Sequence, residues 1–354
     1  MPVRKARNGV ARRPALRHWA HLGMLLAGAC AEQRDPVVVP QADHHVHLLS
    51  PSLIADWKSM GVPFARPDSA YTGVPHLFRD SGLTQVAVAS MAYLYGNAEF
   101  RDGLGLSVEA EEQRARAEND HLAGHAALLG QQAAGFCSVQ PFRPYALAES
   151  RRCRDSLGLP GLKLHLGQAQ ADYADSAQLA TLARIAAWAD STDTTLLLHL
   201  DPQRRSVESA DIRRFIDQVL TPNPGLEVIV AHFGGSGGLG MWTRQVAGVF
   251  ADWLAAGGAG FRPGVQFDLS AVLLARDSEG VPATTDEEAA HLAPLVARLG
   301  STRVLFGSDY PVFDPYAYAE FVVRRGGLTA MQVDTILRNR APVLQRLTPE
   351  PAGR

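Results

Sequence analysis

One aspartate and three histidines fall within five positions, Asp43, His44, His45 and His47, in the stretch QADHHVHLLS at 41–50. On an extended strand, side chains alternate between faces, so His45 and His47 point one way and His44 the other. Two imidazoles side by side make a poor core and a good chelate. Neutral imidazole suits zinc and other first-row divalent metals; zinc is the first expectation and manganese the alternative, as one ion or two. His44 is expected to face a helical layer as a structural residue. Asp43 is expected to share the face of His45 one step deeper and to orient it from behind.

Such a pair needs a scaffold that brings further ligands to it. From about residue 38 the chain alternates short apolar, β-branched-rich runs with longer stretches of helical period. The runs read VVVPQADHHVHL, TQVAVASMA, AGFCSVQP, GLKLHLG, TTLLLHLD, LEVIVAHFGG, GVQFDLSA and TRVLFGSDYP. Amphipathic stretches such as VEAEEQRARAENDHLAGHAALLG and SAQLATLARIAAWAD lie between them. Eight strand–helix units predict right-handed crossovers and a parallel (β/α)8 TIM barrel, here one domain over residues 38–347. The glycine-rich GGSGGLG at 234–240 is read as a flexible loop, because no acidic partner follows at dinucleotide-binding distance. In a parallel barrel the reactive groups project from the C-terminal ends of strands. His45 and His47, Lys163 and His165, His199, His232, Asp268 and Asp309 all fall at such ends.

That ordered set resembles the amidohydrolase superfamily, and in detail its amidohydrolase-related branch of metal-dependent hydrolases and aminocarboxymuconate semialdehyde decarboxylase-like enzymes. The segments ADHHVHL, END, GFCSVQPFRPYAL, GLKLHLG, LLLHL, VIVAHFGG, FDLSA and LFGSDYP carry the resemblance from about residue 40 to 345. It implies that His45, His47 and His199 are metal ligands. It makes Asp309 a further ligand and the general base toward bound water, and His232 either a second-metal ligand or the group that polarises a substrate carbonyl. Histidines hold a cation without neutralising it, so bound water can ionise near neutral pH, and a nearby carboxylate can take its proton. Lys163, on the fourth strand, would be a carboxylated bridge between two metals by resemblance, or else an ion-pairing or substrate-facing lysine.

Other side chains admit two readings. His165, Asp268 and Tyr93 can contact substrate, or Asp268 with Ser270 can belong to a core network and Tyr93 or Tyr95 to packing. Arg204 and Arg205 can bind a carboxylate or remain solvated. His121 and His125 are spaced i, i+4 on a helix and are read as surface or packing residues.

The chain of 354 residues carries a net charge of −2, which offers no footprint for nucleic acid. Six cationic side chains and no acid lie in the first 30 residues, ahead of the apolar run WAHLGMLLAGA. That run is too short to span a bilayer and has the length of a signal-peptide core. Residues 1–30 are therefore expected to be an export signal, with ARRPALR resembling a twin-arginine motif. LLAGAC resembles a lipobox, which would lipidate Cys30 and make a lipid anchor the chain's contact with the membrane. Cys137 and Cys153 are too few for a stapled fold, and Cys137 reads as a small buried hydrophobe.

The expectation is an exported metalloenzyme of the cell envelope or periplasm that hydrolyses a small organic substrate, such as a lactone, ester or amide, with metal-activated water. A non-oxidative decarboxylase on the same scaffold is the rival chemistry, and a non-catalytic envelope binding lipoprotein the rival class. The sequence leaves the substrate and a homo-oligomeric state open.

Overall fold

The computed structural model describes residues 39–62, 66–78, 82–200, 208–257, 264–278 and 280–347. The expectations for residues 1–30, Cys30 included, and for Arg204 and Arg205 lie outside them.

Eight parallel strands follow one another in chain order, each paired with the next. They are β1 (Ala42–Leu48), β2 (Gln85–Ser90), β3 (Ala133–Ser138), β4 (Gly161–His165), β5 (Thr195–His199), β6 (Val228–Val230), β7 (Val265–Asp268) and β8 (Val304–Leu305). A helix follows each strand in turn: α1 (Pro51–Ser59), α2 (Val108–Leu129), α3 (Ala146–Asp155), α4 (Ser176–Ser191), α5 (Ser209–Phe215), α6 (Met241–Ala255), α7 (Leu292–Leu299) and α8 (Pro315–Arg325). This is the arrangement of a (β/α)8 barrel. β8 is short, but the chain beyond it runs along β1. His44 N donates to Phe306 O at 3.0 Å, Asp309 N to His45 O at 2.9 Å and His47 N to Tyr310 O at 2.7 Å, so the barrel is nearly closed.

The strand alternation sorts the apolar residues into two cores. Leu162, Leu164, Leu196, Leu198, Val228 and Val230 pack outward with the helices. Ala87, Ala89, Ala134, Phe136, Leu197, Ile229 and Leu305 pack with one another in a second cluster, on the inward positions. There the small alanines leave room for Phe136, whose ring would lie 2.3 Å from any Cβ at position 161; Gly161 is required there. Above this plug, the inward positions change from apolar to ionisable: Lys163 and His165 on β4, and His199 on β5.

β1 departs from strict alternation. Its register with β2 slips between Asp43 and Val46, so the strand carries a bulge there. Ala42 therefore packs with the inner cluster and Val46 with the outer one. The expectation that Asp43 shares the face of His45 is corrected by this extra residue. Asp43 instead turns its carboxylate onto backbone amides, accepting from His45 N at 3.1 Å and Ser308 N at 3.0 Å. His44 takes the structural place expected of it. Its Nδ1–H donates to Phe306 O at 2.8 Å and its Nε2 accepts from Ala341 N at 3.0 Å, which fixes a neutral ring.

The turn after β1 is held by Ser50, whose hydroxyl caps α1 by accepting from Leu53 N at 3.1 Å. Its own amide donates to Glu118 on α2 at 2.9 Å. Burial raises the Glu118 carboxyl to about 7, against the hydrogen bonds from Ser50. Such a group contributes stability that is full below its unfolded value of 4.5 and is lost as pH rises through about 7. Glu118→Gln should therefore be more stable than the parent at pH 8, by up to about 3 kcal/mol, with most of the gain gone at pH 5. Parallel urea midpoints for the two proteins at both pH values would rule this out.

Cys137 on β3 and Cys153 on α3 are both buried, but they are joined as a disulfide with their Cα atoms 6.2 Å apart. The reading of Cys137 as a lone small hydrophobe is corrected by that pairing. The two residues approach because α3 folds directly back over the strand it follows. The bridge spans 16 residues, so replacing both cysteines by alanine should cost about 3 kcal/mol in denaturant unfolding. Alkylation of the unfolded, unreduced chain should label neither residue.

Candidate metal centre

At the strand exits, six rings form a continuous arc. Tyr93 meets His165 with centroids 5.0 Å apart, His165 stacks on His199 at 3.7 Å, and His199 meets His232 at 4.7 Å. His232 stacks on His45 at 4.7 Å and His45 meets His47 edge-on at 4.9 Å. Strand register explains the closest pair, since His165 of β4 is the direct partner of His199 on β5. Lys163 lies fully buried one step below His165, its Nζ 3.0 Å from His45 Nε2.

The ring tautomers follow from partners that can only donate or only accept. His45 Nδ1 faces the Asp268 carboxylate at 3.0 Å, so that nitrogen carries the proton and Nε2 offers a lone pair. His232 Nδ1 faces the carbonyl of Ser270 at 2.6 Å, so its Nε2 likewise holds a lone pair when the ring is neutral. A neutral His232 in this pose is thus a ligand or a base. Polarising a carbonyl would need a second proton on the ring.

Asp268 anchors both rings. It is fully buried and accepts from His45 Nδ1, from His232 N at 3.0 Å, and from Ser270 through both the amide, at 3.1 Å, and the hydroxyl. These four donors place Asp268 in a buried network with Ser270 and the two imidazoles. The carboxylate–imidazole pair is the arrangement that orients a metal-binding histidine.

Asp309 and His232 do not sit on regular strand. Both lie in the turns beyond β8 and β6 with left-handed backbone, φ +61° and +52°. For non-glycine residues this conformation is uncommon and persists where neighbours over-determine it. Around Asp309 those neighbours are the His45 carbonyl, the Asp43 carboxylate on Ser308 N, and the Ser308 hydroxyl, which accepts from Tyr310 N at 3.1 Å.

The result is a triangle of ligand atoms. His45 Nε2 and His47 Nε2 are 3.2 Å apart, and Asp309 Oδ1 lies 3.3 Å from His47 Nε2 and 3.6 Å from His45 Nε2. Ligand atoms about 2.1 Å from a tetrahedral centre stand about 3.4 Å from one another, so the triangle fits a single ion. His199 stands outside the triangle, on the far side of His232, but its Nε2 is buried and without a partner, as is His47 Nδ1. Such atoms call for a ligand.

Electrostatics suits a cation. Burial, with Lys163 adding to it, holds His45 well below the usual imidazole range, and burial with His165 does the same for His199. His47 and His165 are also lowered, chiefly by burial, so the four rings favour the uncharged form that can offer a lone pair. Burial pushes Lys163 down to about 8. Burial alone would raise Asp309, but its hydrogen bond with His47 and the neighbouring imidazoles hold it below the usual carboxylate range.

His121 and His125 lie on α2 with centroids 4.6 Å apart, and no third ligand joins them among the described residues. Sequence reading missed two contributors. Ser308 gives no signal in sequence, since its part depends on the bulge opposite. Gln168, whose amide donates to His165 Nδ1 at 3.2 Å, acts through backbone alone.

The chain matches the family described as Amidohydrolase over residues 42–339. No curated protein matches it by sequence. Among solved structures, it is similar to 2,6-dihydroxybenzoate decarboxylase complexed with 2,6-dihydroxybenzoate, at 16% identity and a TM-score of 0.58, over 87% of this chain and 99% of the other. It is also similar to 5-carboxyvanillate decarboxylase from Sphingomonas paucimobilis, at 16% identity and 0.56, over 84% and 96%. A dihydroxybenzoic acid decarboxylase from Polaromonas, with bound manganese and 2-nitroresorcinol, aligns at 15% identity and 0.57, over 87% and 96%. At these identities the likeness shows the fold. The family match spans most of the length and takes in every one of the converging strand exits: this chain belongs to the amidohydrolase family.

Proposed function

We propose that the protein is a metal-dependent hydrolase acting on a small organic substrate such as a lactone, ester or amide. The observation that carries this reading is the triangle of His45 Nε2, His47 Nε2 and Asp309 Oδ1, closed by an ionised carboxylate. His45, His47 and Asp309 would hold one ion, and His199, whose buried Nε2 has no partner, is the candidate fourth ligand. The nitrogen-rich donor set favours zinc, with manganese the alternative. A divalent ion there would supply Lewis acidity, polarising a substrate oxygen and lowering the pKa of water.

The chain's own groups do the rest. Asp309 presents a fixed carboxylate that can take the proton of an attacking water. His232 offers its Nε2 lone pair as a second proton acceptor, held in place by Ser270 and Asp268. Lys163 points at the lone pair of His45 that an ion would use, so loading requires it to release that contact. We read it as an ion-pairing lysine that ties His45 from below; a carbamate bridging two ions is the competing reading. Tyr93 and His165 form the substrate wall.

A second reading has its own support. The similar structures named above are decarboxylases, and one of them holds manganese. In a decarboxylase the same ligands would hold the ion, whose charge would receive the substrate's carboxylate and an adjacent oxygen, and no water need be activated. Export, with Cys30 as lipid anchor, also remains our proposal. Its supports are the basic and apolar leader and the Cys137–Cys153 bridge, since disulfides persist in oxidising compartments.

Metal analysis of purified protein should find one ion per chain, and His45→Ala or His47→Ala should lose it. Two ions, loaded only with bicarbonate and lost in Lys163→Ala, would replace the single-ion reading by the carbamate. Asp309→Asn saturated with metal should stay slow by roughly 10²- to 10⁴-fold if the carboxylate moves the proton. Turnover should be scored by proton release on esters and lactones and by CO₂ evolution on aromatic carboxylates. CO₂ without hydrolysis would establish the lyase.

A further inference from the structure

His165 carries an assignment beyond the ligand set. Its Nδ1 accepts a hydrogen bond from the backbone amide of Gln168 at 3.2 Å. An amide can only donate, so Nδ1 must hold a lone pair. An imidazolium has none to offer, which makes the ring neutral with its single proton on Nε2. The ring cannot readily turn over: it stacks on His199 at 3.7 Å and 19°, with Tyr93 against it at 5.0 Å. Its backbone is tied as well, by Ala169 N donating to His165 O at 3.0 Å.

Nε2–H therefore points away from the Gln168 turn with a fixed proton. No described residue accepts it, and it is not among the described buried atoms left without a partner, so it is open to solvent at the strand exits. Along the same strand exits stand two acceptors, the Nε2 of a neutral His232 and the Asp309 carboxylate, and the unpaired His199 Nε2. Lys163 is spent on His45 beneath. One aimed, fixed donor selects where an electron-rich group can sit.

We propose that His165 is a specificity-determining residue, a fixed Nε2–H donor that receives an anionic oxygen of the substrate, a carboxylate or an enolate. The inference rests on the proposed reading that these strand exits hold the substrate, and it narrows the substrate to small organic anions. It holds for either reaction, since a hydrolase of carboxylated lactones and a decarboxylase both present such an oxygen. A hydrogen bond to a charged acceptor distinguishes an anion from a neutral isostere by roughly 10- to 100-fold.

The test begins without metal. Long-range ¹H–¹⁵N spectra of histidine-labelled full-length protein at pH 7 should show one neutral Nε2–H ring that vanishes in His165→Phe. Adding benzoate should move that signal more than adding benzamide. By calorimetry on zinc-treated protein, His165→Phe, which keeps the stack, should weaken benzoate at least tenfold and leave benzamide unchanged. His165→Gln, whose amide can donate from nearly the same place, should recover most of the loss. An Nδ1–H ring, an imidazolium, no benzoate binding by the parent, or equal benzoate affinity in parent and His165→Phe would each overturn the assignment. Failure of the metal reading looks different: the parent would take up no zinc while the tautomer and the benzoate shift remained as stated.

Discussion

The site depends on one buried carboxylate. Asp268 lies on β7 with no exposure, and each of its hydrogen bonds settles the orientation of something else. It accepts the Nδ1–H of His45, which fixes that tautomer and turns the Nε2 lone pair outward. It holds the amide of His232 in a left-handed turn and gathers Ser270 between the two rings. A neutral side chain there would leave both imidazoles free to choose the wrong tautomer, and the lone pairs would no longer converge. Burying a carboxylate is costly unless it is saturated with donors, and here saturation is also what aims the site.

The second constraint is the seam between β1 and the chain beyond β8. The bulge in β1 spends one residue to turn Asp43 toward Ser308 while leaving His45 and His47 on the same side. Asp309 can then take a left-handed backbone and place its carboxylate against both imidazoles. Strain at Asp309 is thus balanced by backbone hydrogen bonds across the seam, where regular ladder pairing has run out.

Much of this was legible from residue types alone. The eight runs were legible because outward positions such as Leu162, Leu164, Leu196 and Leu198 keep a strict period of two. The converging groups were legible because ionisable residues at the ends of apolar runs have few other uses. What escaped were features set by a partner distant in sequence. The bulge moves Asp43 off the face that alternation assigns it, and only the register with β2 reveals the slip. Asp268 reads equally well as a substrate contact until its four donors are in place. The cysteine pair escaped because its partner sits on a helix whose rotation over β3 no spacing rule supplies.

The seam also bears on the order in which the protein can assemble. The Asp43–Ser308 contact joins residues 265 apart in sequence, and the triangle of ligand atoms straddles the same gap. Loop closure over such a distance is among the last contacts a chain can make, since its entropic cost must be met before the contact rewards it. The three ligand atoms therefore do not exist together in any partly wound barrel. An ion cannot template this fold as it does a zinc finger, where ligands lie within one short loop. The ring must close on its apolar cores first, and any ion arrives as a late lock on a finished structure.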